Sequence, residues 1–352
     1  MNTNDNIEFF DELDDFEQVD IFIDKSRRRE KHPLRHPGKK TATVKKFISQ
    51  QDDSRSGFKF TYKAARFEEG WLLDSLGGFY EHQWISDVLR KVKGGKEASV
   101  YQCRSGAAVP AGLAAAKVYR PRMLRNLRND HLYREGREDL DDEGRAVFDD
   151  GKLKAMRQRT QYGKDLLHQS WIAYEFTAMQ TLYVAGADVP EPYTMAGNAI
   201  LMGYIGDFDE SAPALNEITL DRSEAKQLFE RVIKNIGILL ANDIIHGDLS
   251  AYNILYWEGD IVLIDFPQVV SPEVNRNAFH IFERDVTRVC DYFRDQGVHA
   301  NACKLARDLW TSHGYRVQRD IHPALLDAEN PEDRKLWQER MQPDQVGESS
   351  EK

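Results

Sequence analysis

Asp248 and Asn253 stand with four residues between them, inside His246-Gly247-Asp248-Leu249-Ser250-Ala251-Tyr252-Asn253. Asp265 follows twelve residues after Asn253, at the end of the apolar run Ile261-Val262-Leu263-Ile264. An acid closing a buried strand is poorly explained as surface decoration. A polar loop, a hairpin and a second acid would bring Asp248, Asn253 and Asp265 to one edge. Phosphoryl transfer needs such a set: one carboxylate takes the proton of an incoming hydroxyl, while an amide and a carboxylate hold Mg²⁺ on phosphate oxygens. Turn formation and helix capping would account for each residue singly. They would not account for the other parts of the chain that phosphoryl transfer requires.

Those parts lie upstream. Val92-Lys93-Gly94-Gly95-Lys96-Glu97-Ala98-Ser99-Val100-Tyr101 places two glycines where backbone could approach phosphates, with a strand after them. In Ala114-Ala115-Ala116-Lys117-Val118-Tyr119 a single Lys sits among apolar strand residues, where burial is costly without a partner. Glu175, on a helix read over Trp171 to Leu182, is the natural partner, together with a nucleotide phosphate. Ile200-Leu201-Met202-Gly203-Tyr204-Ile205-Gly206 reads as a strand entering a connector. Such a connector can offer backbone groups to an adenine edge.

The elements that must position these residues follow from periodicity and turn signals. Leu72 to Leu89 reads as a helix interrupted by Gly77-Gly78. Val100 to Cys103 and Leu113 to Tyr119 read as strands. Residues 120–165 carry twelve basic and ten acidic residues with almost no apolar periodicity, and read as a solvated insertion. Ala199 to Ile205 reads as a strand and Ala225 to Ala241 as an apolar-faced helix. Two short strands flank Glu258-Gly259-Asp260, and helices run from Phe282 onward. Strands first and helices after predict a small β-rich lobe and a larger helical lobe.

The 352 residues carry a net charge of −10, with 41% hydrophobic and 30% charged residues. No apolar run reaches the ~18–20 residues of a membrane helix. The three cysteines are scattered without a Cys-x-x-Cys pair, which supports neither a disulfide framework nor a cysteine zinc site. Nine acids within residues 1–24 read against a secretory leader, so a cytoplasmic location is expected. Residues 25–46 reverse the sign, with ten Lys and Arg against one Glu. A disordered acidic-then-basic arm is expected over 1–56, with RNA or partner binding through 25–46 as the alternative, functional reading. A polar tail is expected over 327–352.

The order of Gly-rich loop, strand Lys, helix Glu, connector, Asp/Asn loop and metal Asp is that of the protein-kinase fold. More narrowly, the chain resembles a RIO-family atypical serine/threonine protein kinase of prokaryotic type. The resemblance rests on the Gly95–Tyr101 loop, the His246–Asn253 loop, Ile264-Asp265-Phe266-Pro267-Gln268 and Arg284-Asp285-Val286, and covers roughly residues 66–300. It implies an α+β, two-lobed fold over 57–326, with an N-lobe at about 66–202 and a C-lobe at about 206–326. It implies Asp248 as catalytic base, Asn253 and Asp265 as metal ligands, and Asp265 as an acceptor of phosphate. Lys117 would meet the α/β-phosphates and pair with Glu175. Gly94, Gly95, Lys96 and Ser99 would lie along the nucleotide loop. Met202 would border adenine, with Gly203, Tyr204 and Ile205 as hinge. ATP with Mg²⁺ (or Mn²⁺), a protein substrate or the chain itself, and a pre-ribosomal particle or ribosomal RNA are the implied ligands.

The departures from ordinary protein kinases matter. Pro267 stands where a Gly is usual, His246-Gly247-Asp248 lacks an Arg, and no Ala-Pro-Glu segment follows. About twenty residues are expected between Asp265 and the next helix, too few for a standard activation segment. The nucleotide and metal loops resemble different RIO subfamilies. Two other functions compete: a small-molecule phosphotransferase of the aminoglycoside or choline type, and a nucleotide-gated RNA-binding scaffold.

Overall fold

The sheet that carries Lys117 is antiparallel throughout, with Ala114 to Tyr119 buried along its middle strand. In the computed structural model described here, residues 57–95, 97–120, 137–141, 144–317, 326, 331, 333–335 and 337 are described. All belong to one unit, Ser56–Lys352. Helix α1 (Arg66–Glu81) leads into β1 (Ile85–Gly94), β2 (Ala98–Ser105) and β3 (Leu113–Tyr119). Helices α2 (Asp150–Arg157) and α3 (Gln161–Val184) follow, then β4 (Pro192–Ala196) and β5 (Ala199–Gly203). The second half holds α4 (Arg222–Ala241), the hairpin β6 (Ile254–Trp257) and β7 (Asp260–Leu263), α5 (Ala278–Asp295) and α6 (Ala302–Ser312). The first five strands form an antiparallel sheet in the order β1-β2-β3-β5-β4.

Two apolar cores result. One packs Leu72, Leu76 and Phe79 of α1 against Tyr101, Cys103 and Leu201 of the sheet. The larger one gathers α3, α4, α5 and α6 around Phe176, Val232, Phe282 and Trp310. The two-lobed α+β arrangement expected from the sequence is the one found.

Several local expectations are corrected. The helix expected over 72–89 runs from Arg66 through Gly77-Gly78 and ends at Glu81, and β1 occupies the rest. Two glycines cost a helix roughly 1 kcal/mol each, which the burial of Leu72, Leu76 and Phe79 on one face offsets. The insertion is structured from residue 150 on. Asp149 and Thr160 cap α2 and α3 by accepting from the Lys152 and Gly163 N–H groups. Gly163 is required there, because a Cβ would lie 1.9 Å from the Ala155 carbonyl oxygen. Strand β4 was not expected. Helix α5 begins at Ala278, sooner after Asp265 than expected. In the region read as a polar tail, Asp333 is buried and its Oδ1 lies 4.0 Å from His280 Nε2. Residues 1–56, with the basic run 25–46, and residues 121–136 lie outside the described residues. Among the described residues, no helix is long and apolar enough to cross a membrane.

Candidate active site

Register decides which strand residues face the site. Val100, Lys117 and Ile200 are opposite one another on β2, β3 and β5. Alternation then puts Lys117 and Tyr119 on the face toward α3, and Ser99 and Tyr101 on the face toward α1. Lys117 is buried, and its Nζ lies 2.6 Å from Glu175 Oε1 and 2.5 Å from Asp265 Oδ1. Glu175, also buried, accepts the Tyr119 hydroxyl on its other oxygen. Burial works against the Lys117 charge, but Asp265 and Glu175 outweigh it and hold its pKa well above the ordinary value. The same contact acts in reverse on Asp265. Burial would raise its pKa, and the Lys117 charge and hydrogen bond bring it below the usual carboxylate value.

The Asp248 loop is held from two sides. The His246 Nε2 lies 3.1 Å from the Ile264 carbonyl oxygen, and its ring packs on Phe266. Gly247 has φ +81°, and a Cβ there would meet the Gln268 carbonyl oxygen at 2.1 Å. Its N–H donates to Asp285 Oδ2 at 2.8 Å, and its carbonyl accepts from Arg284 at 2.5 Å. Burial pushes the Asp285 carboxyl up, against the pull of Arg284 and His246. Asp248 itself is half exposed and accepts from Arg288 Nη1 at 2.8 Å.

Asn253 closes the loop. Its Nδ2 donates to the Asp248 carbonyl at 2.8 Å and reaches Asp248 Oδ2 at 3.4 Å. Its backbone carbonyl accepts from Ile264 N–H at 3.0 Å, one residue before Asp265. The β6–β7 hairpin, turned by Glu258 and Gly259 at positive φ, therefore sets Asn253 beside Asp265. With its Nδ2 engaged, Asn253 keeps its amide oxygen for a cation. Among the described residues no cluster of three or more acids, His or Cys could hold a metal. One amide oxygen and one carboxylate fit Mg²⁺ that completes its shell with substrate phosphates and water.

Gly94 ends β1 opposite Ser99. The Gly95 N–H donates to the Ala98 carbonyl at 2.9 Å, and a Cβ on Gly95 would lie 3.0 Å from that oxygen. Lys96 lies outside the described residues. Ser99 does not share the face of Lys117, so its side chain is turned to the α1 core. Met202 pairs with Ala115 and shares the Lys117 face. In the connector, the Gly203 N–H donates to the Glu191 carbonyl and the Ile205 carbonyl accepts from Ala212. Those two groups are not offered to a ligand. Tyr204 is braced by Arg90, whose Nη2 donates to its hydroxyl oxygen at 3.0 Å. Buried Gln102 accepts from Arg90 and donates to the Asp207 carbonyl, tying the sheet to the connector.

The family model of the RIO domain matches residues 129–306, just over half of the chain. The chain belongs to the RIO domain family. A RIO-type serine/threonine-protein kinase Rio1 of Thermoplasma acidophilum is 30% identical over 135 residues, which cover 38% of this chain and 69% of that protein. Rio2 of Methanocaldococcus jannaschii is 35% identical over 159 residues, 43% of this chain and 56% of its own length. Rio1 of Haloferax volcanii is 30% identical over 144 residues, 41% of this chain and 49% of its own length. The chain thus spans about half the length of some of the relatives it matches. Both Rio1 and Rio2 proteins match.

Three side chains near the site carry no strong sequence signal. Tyr119 holds the second oxygen of Glu175, and its place two residues after Lys117 was the available clue. Arg288 is one helical turn after Arg284, which puts both on the loop-facing side of α5. Arg137 reaches the Asp265 loop from a segment without periodicity, and nothing local marks it.

Proposed function

We propose that the site is an ATP- and Mg²⁺-dependent phosphotransferase of the serine/threonine protein kinase class. The observation that carries the proposal is the Lys117 ammonium held between Glu175 and Asp265. Few structural needs explain a buried strand lysine held between a buried helix carboxylate and a part-exposed loop carboxylate, whereas nucleotide phosphates need a fixed cation with an adjacent acid. The names of the matched relatives support the same class.

In this reading Lys117, oriented by Glu175, meets the α/β-phosphates. Gly94, Gly95 and Lys96 cover the phosphates, and Ser99 contributes backbone only. Met202 and the connector Gly203–Ile205 border the adenine. Asn253 and Asp265 hold Mg²⁺, which when bound neutralises charge on the phosphate oxygens; Mn²⁺ suits the same donors. Asp248 accepts the proton of an incoming Ser or Thr hydroxyl. The hydroxyl oxygen bonds the γ-phosphorus as the bond to the ADP oxygen breaks.

Asp265 is also a nucleophile candidate, because its carboxylate is part-exposed and Lys117 keeps it ionised. Attack on the γ-phosphorus would release ADP and leave an acyl phosphate, which water would cleave to restore the acid. Incubation with γ-labelled ATP and Mg²⁺, followed by mapping of the label, separates the outcomes. Acid-stable label on Ser or Thr supports transfer to protein. Hydroxylamine-labile label on Asp265 supports an ATPase cycle. Absence of both label and ATP consumption overturns the proposal, and ATP consumption stimulated by one small alcohol points instead to a small-molecule phosphotransferase.

The protein partner, another chain or a copy of this one, would present its hydroxyl at Asp248. The ten Lys and Arg of residues 25–46 support an RNA partner, with ribosomal RNA or a pre-ribosomal particle as the proposed target. RNA affinity unchanged after deletion of residues 1–46 would rule that arm out.

A further inference from the structure

Arg137 lies in the charged insertion, yet its side chain ends against the Asp265 loop. Its Nε donates to the Val269 carbonyl at 3.1 Å, and its Nη2 donates to the Pro267 carbonyl at 3.1 Å and to Val269 as well. The guanidinium lies 4.5 Å from the centre of the Tyr174 ring. Tyr174 adjoins Glu175 on α3. One side chain therefore touches both elements that supply carboxylates to Lys117.

The loop has reason to need this support. It is anchored at one end by Ile264 N–H on Asn253, and at the other by the paired backbone groups of Val270 and Ile245. Between those anchors Asp265 takes φ +73°, a left-handed conformation that costs a non-glycine residue roughly 1–3 kcal/mol. Such a conformation persists only where the surroundings over-determine it. The planar guanidinium fork reaches two carbonyls two residues apart, which a lysine ammonium on a flexible stem matches poorly.

We propose that Arg137 is a positioning residue for Asp265, through which the insertion sets the geometry of the candidate metal site. The proposal rests on the assignment of Asp265 as a metal ligand and acts on that residue alone. It differs from a general stabilising contact in its consequences. Loss of Arg137 loosens residues 265–269 and raises the Mg²⁺ requirement, while the sheet and the helical core keep their protection.

The full chain is compared with Arg137→Lys, Arg137→Ala and, as a control, Arg145→Ala. Arg145 is an exposed residue of the same insertion that pairs with Asp141, four residues away. Hydrogen exchange is followed in the absence of nucleotide and metal. ADP binding is followed by calorimetry over a series of Mg²⁺ concentrations. Expected are faster exchange of the 265–270 amides in both Arg137 variants and a roughly tenfold rise in the Mg²⁺ needed for half-maximal ADP binding, with β2 and β3 unchanged. Arg137→Lys keeps the charge and is the milder change, so it carries the decision. Loop exchange and Mg²⁺ dependence in Arg137→Lys equal to those of the parent and of Arg145→Ala would overturn the proposal. If ADP binds the parent chain without regard to Mg²⁺, the metal assignment fails, and loop exchange still reports separately whether Arg137 holds the loop.

Discussion

Lys117 is the residue on which the site turns. Its single positive charge lies between two carboxylates, so its loss leaves buried Glu175 near Asp265 without a cation. Lys117→Met should therefore cost about 3–5 kcal/mol of stability, read as a lower denaturation midpoint, and should abolish ATP binding. Glu175→Gln is milder, because the amide still accepts the Tyr119 hydroxyl and Asp265 still holds Lys117. It should weaken ATP binding about tenfold with a stability loss of roughly 2 kcal/mol, measured by calorimetry and chemical denaturation. Gly247 is the second decisive position. Gly247→Ala puts a methyl into the Gln268 carbonyl at a positive φ, and should lower stability by about 2–4 kcal/mol. Phosphotransfer should fall with it, since the same displacement parts Asp248 from the Asp265 loop. At this scale the sequence was most readable. Lys117 and Asp265 stand out against apolar strand residues, and Asp248 and Asn253 by their spacing within a polar loop, all of which can be seen without coordinates. Ser99 was read from loop proximity, and strand alternation turns its side chain away. Pairing Val100 with Lys117 would have shown this, but register is a tertiary fact.

Elements hold these residues through a few polar struts. Asp188, just after α3, is one. It receives Arg231 of α4 in a forked pair at 2.7 and 2.9 Å, and Asn235 Nδ2 at 2.7 Å. Asn235 is buried and in turn accepts the Asp188 N–H at 2.7 Å. Asn235→Ala leaves buried polar groups unpaired and should cost about 2 kcal/mol, detected as a lower melting temperature. Burial raises the Asp188 pKa, but the hydrogen bonds from Arg231 and Asn235 bring it below its ordinary value. A depressed carboxylate pKa adds stability above the unfolded value of about 3.9, and that stability is lost as pH falls through the folded value. The Arg231→Ala variant should therefore lose less stability than the parent between pH 5 and the acid limit, by denaturation at each pH. Strand β1 shows why some elements could not be read. Ile85, Val88 and Leu89 are spaced as a helix face, and their strand pairing comes from β2 and from bulges between Ile85 and Asp87 and between Val88 and Arg90. The start of α3 is hidden for the opposite reason: Gln161 to Asp165 is polar, and the Thr160 cap and the close approach at Gly163 help to hold it helical.

The whole molecule combines a two-lobed core with segments whose composition is unlike it. Apolar core among the described residues begins at Phe58, and residues 1–46 contribute ten acids and ten bases. Deletion of residues 1–46 should leave the melting temperature of the core within about 2 °C of the parent while removing any salt-sensitive RNA affinity. Residues 47–326 carry −6 of the net −10, so the proposed nucleotide site lies inside a mildly acidic domain. A local cation such as Lys117 and a bound Mg²⁺ are then what a polyanion needs in order to approach. In the proposed mechanism Asp265 carries the metal on which ATP turnover depends. Its most direct test is Mg²⁺-dependent ATP turnover by Asp265→Asn, in a variant shown by circular dichroism to remain folded. Turnover and phosphoenzyme should both fall to background. Turnover equal to that of the parent would contradict the metal site and, with it, the proposed phosphoryl transfer.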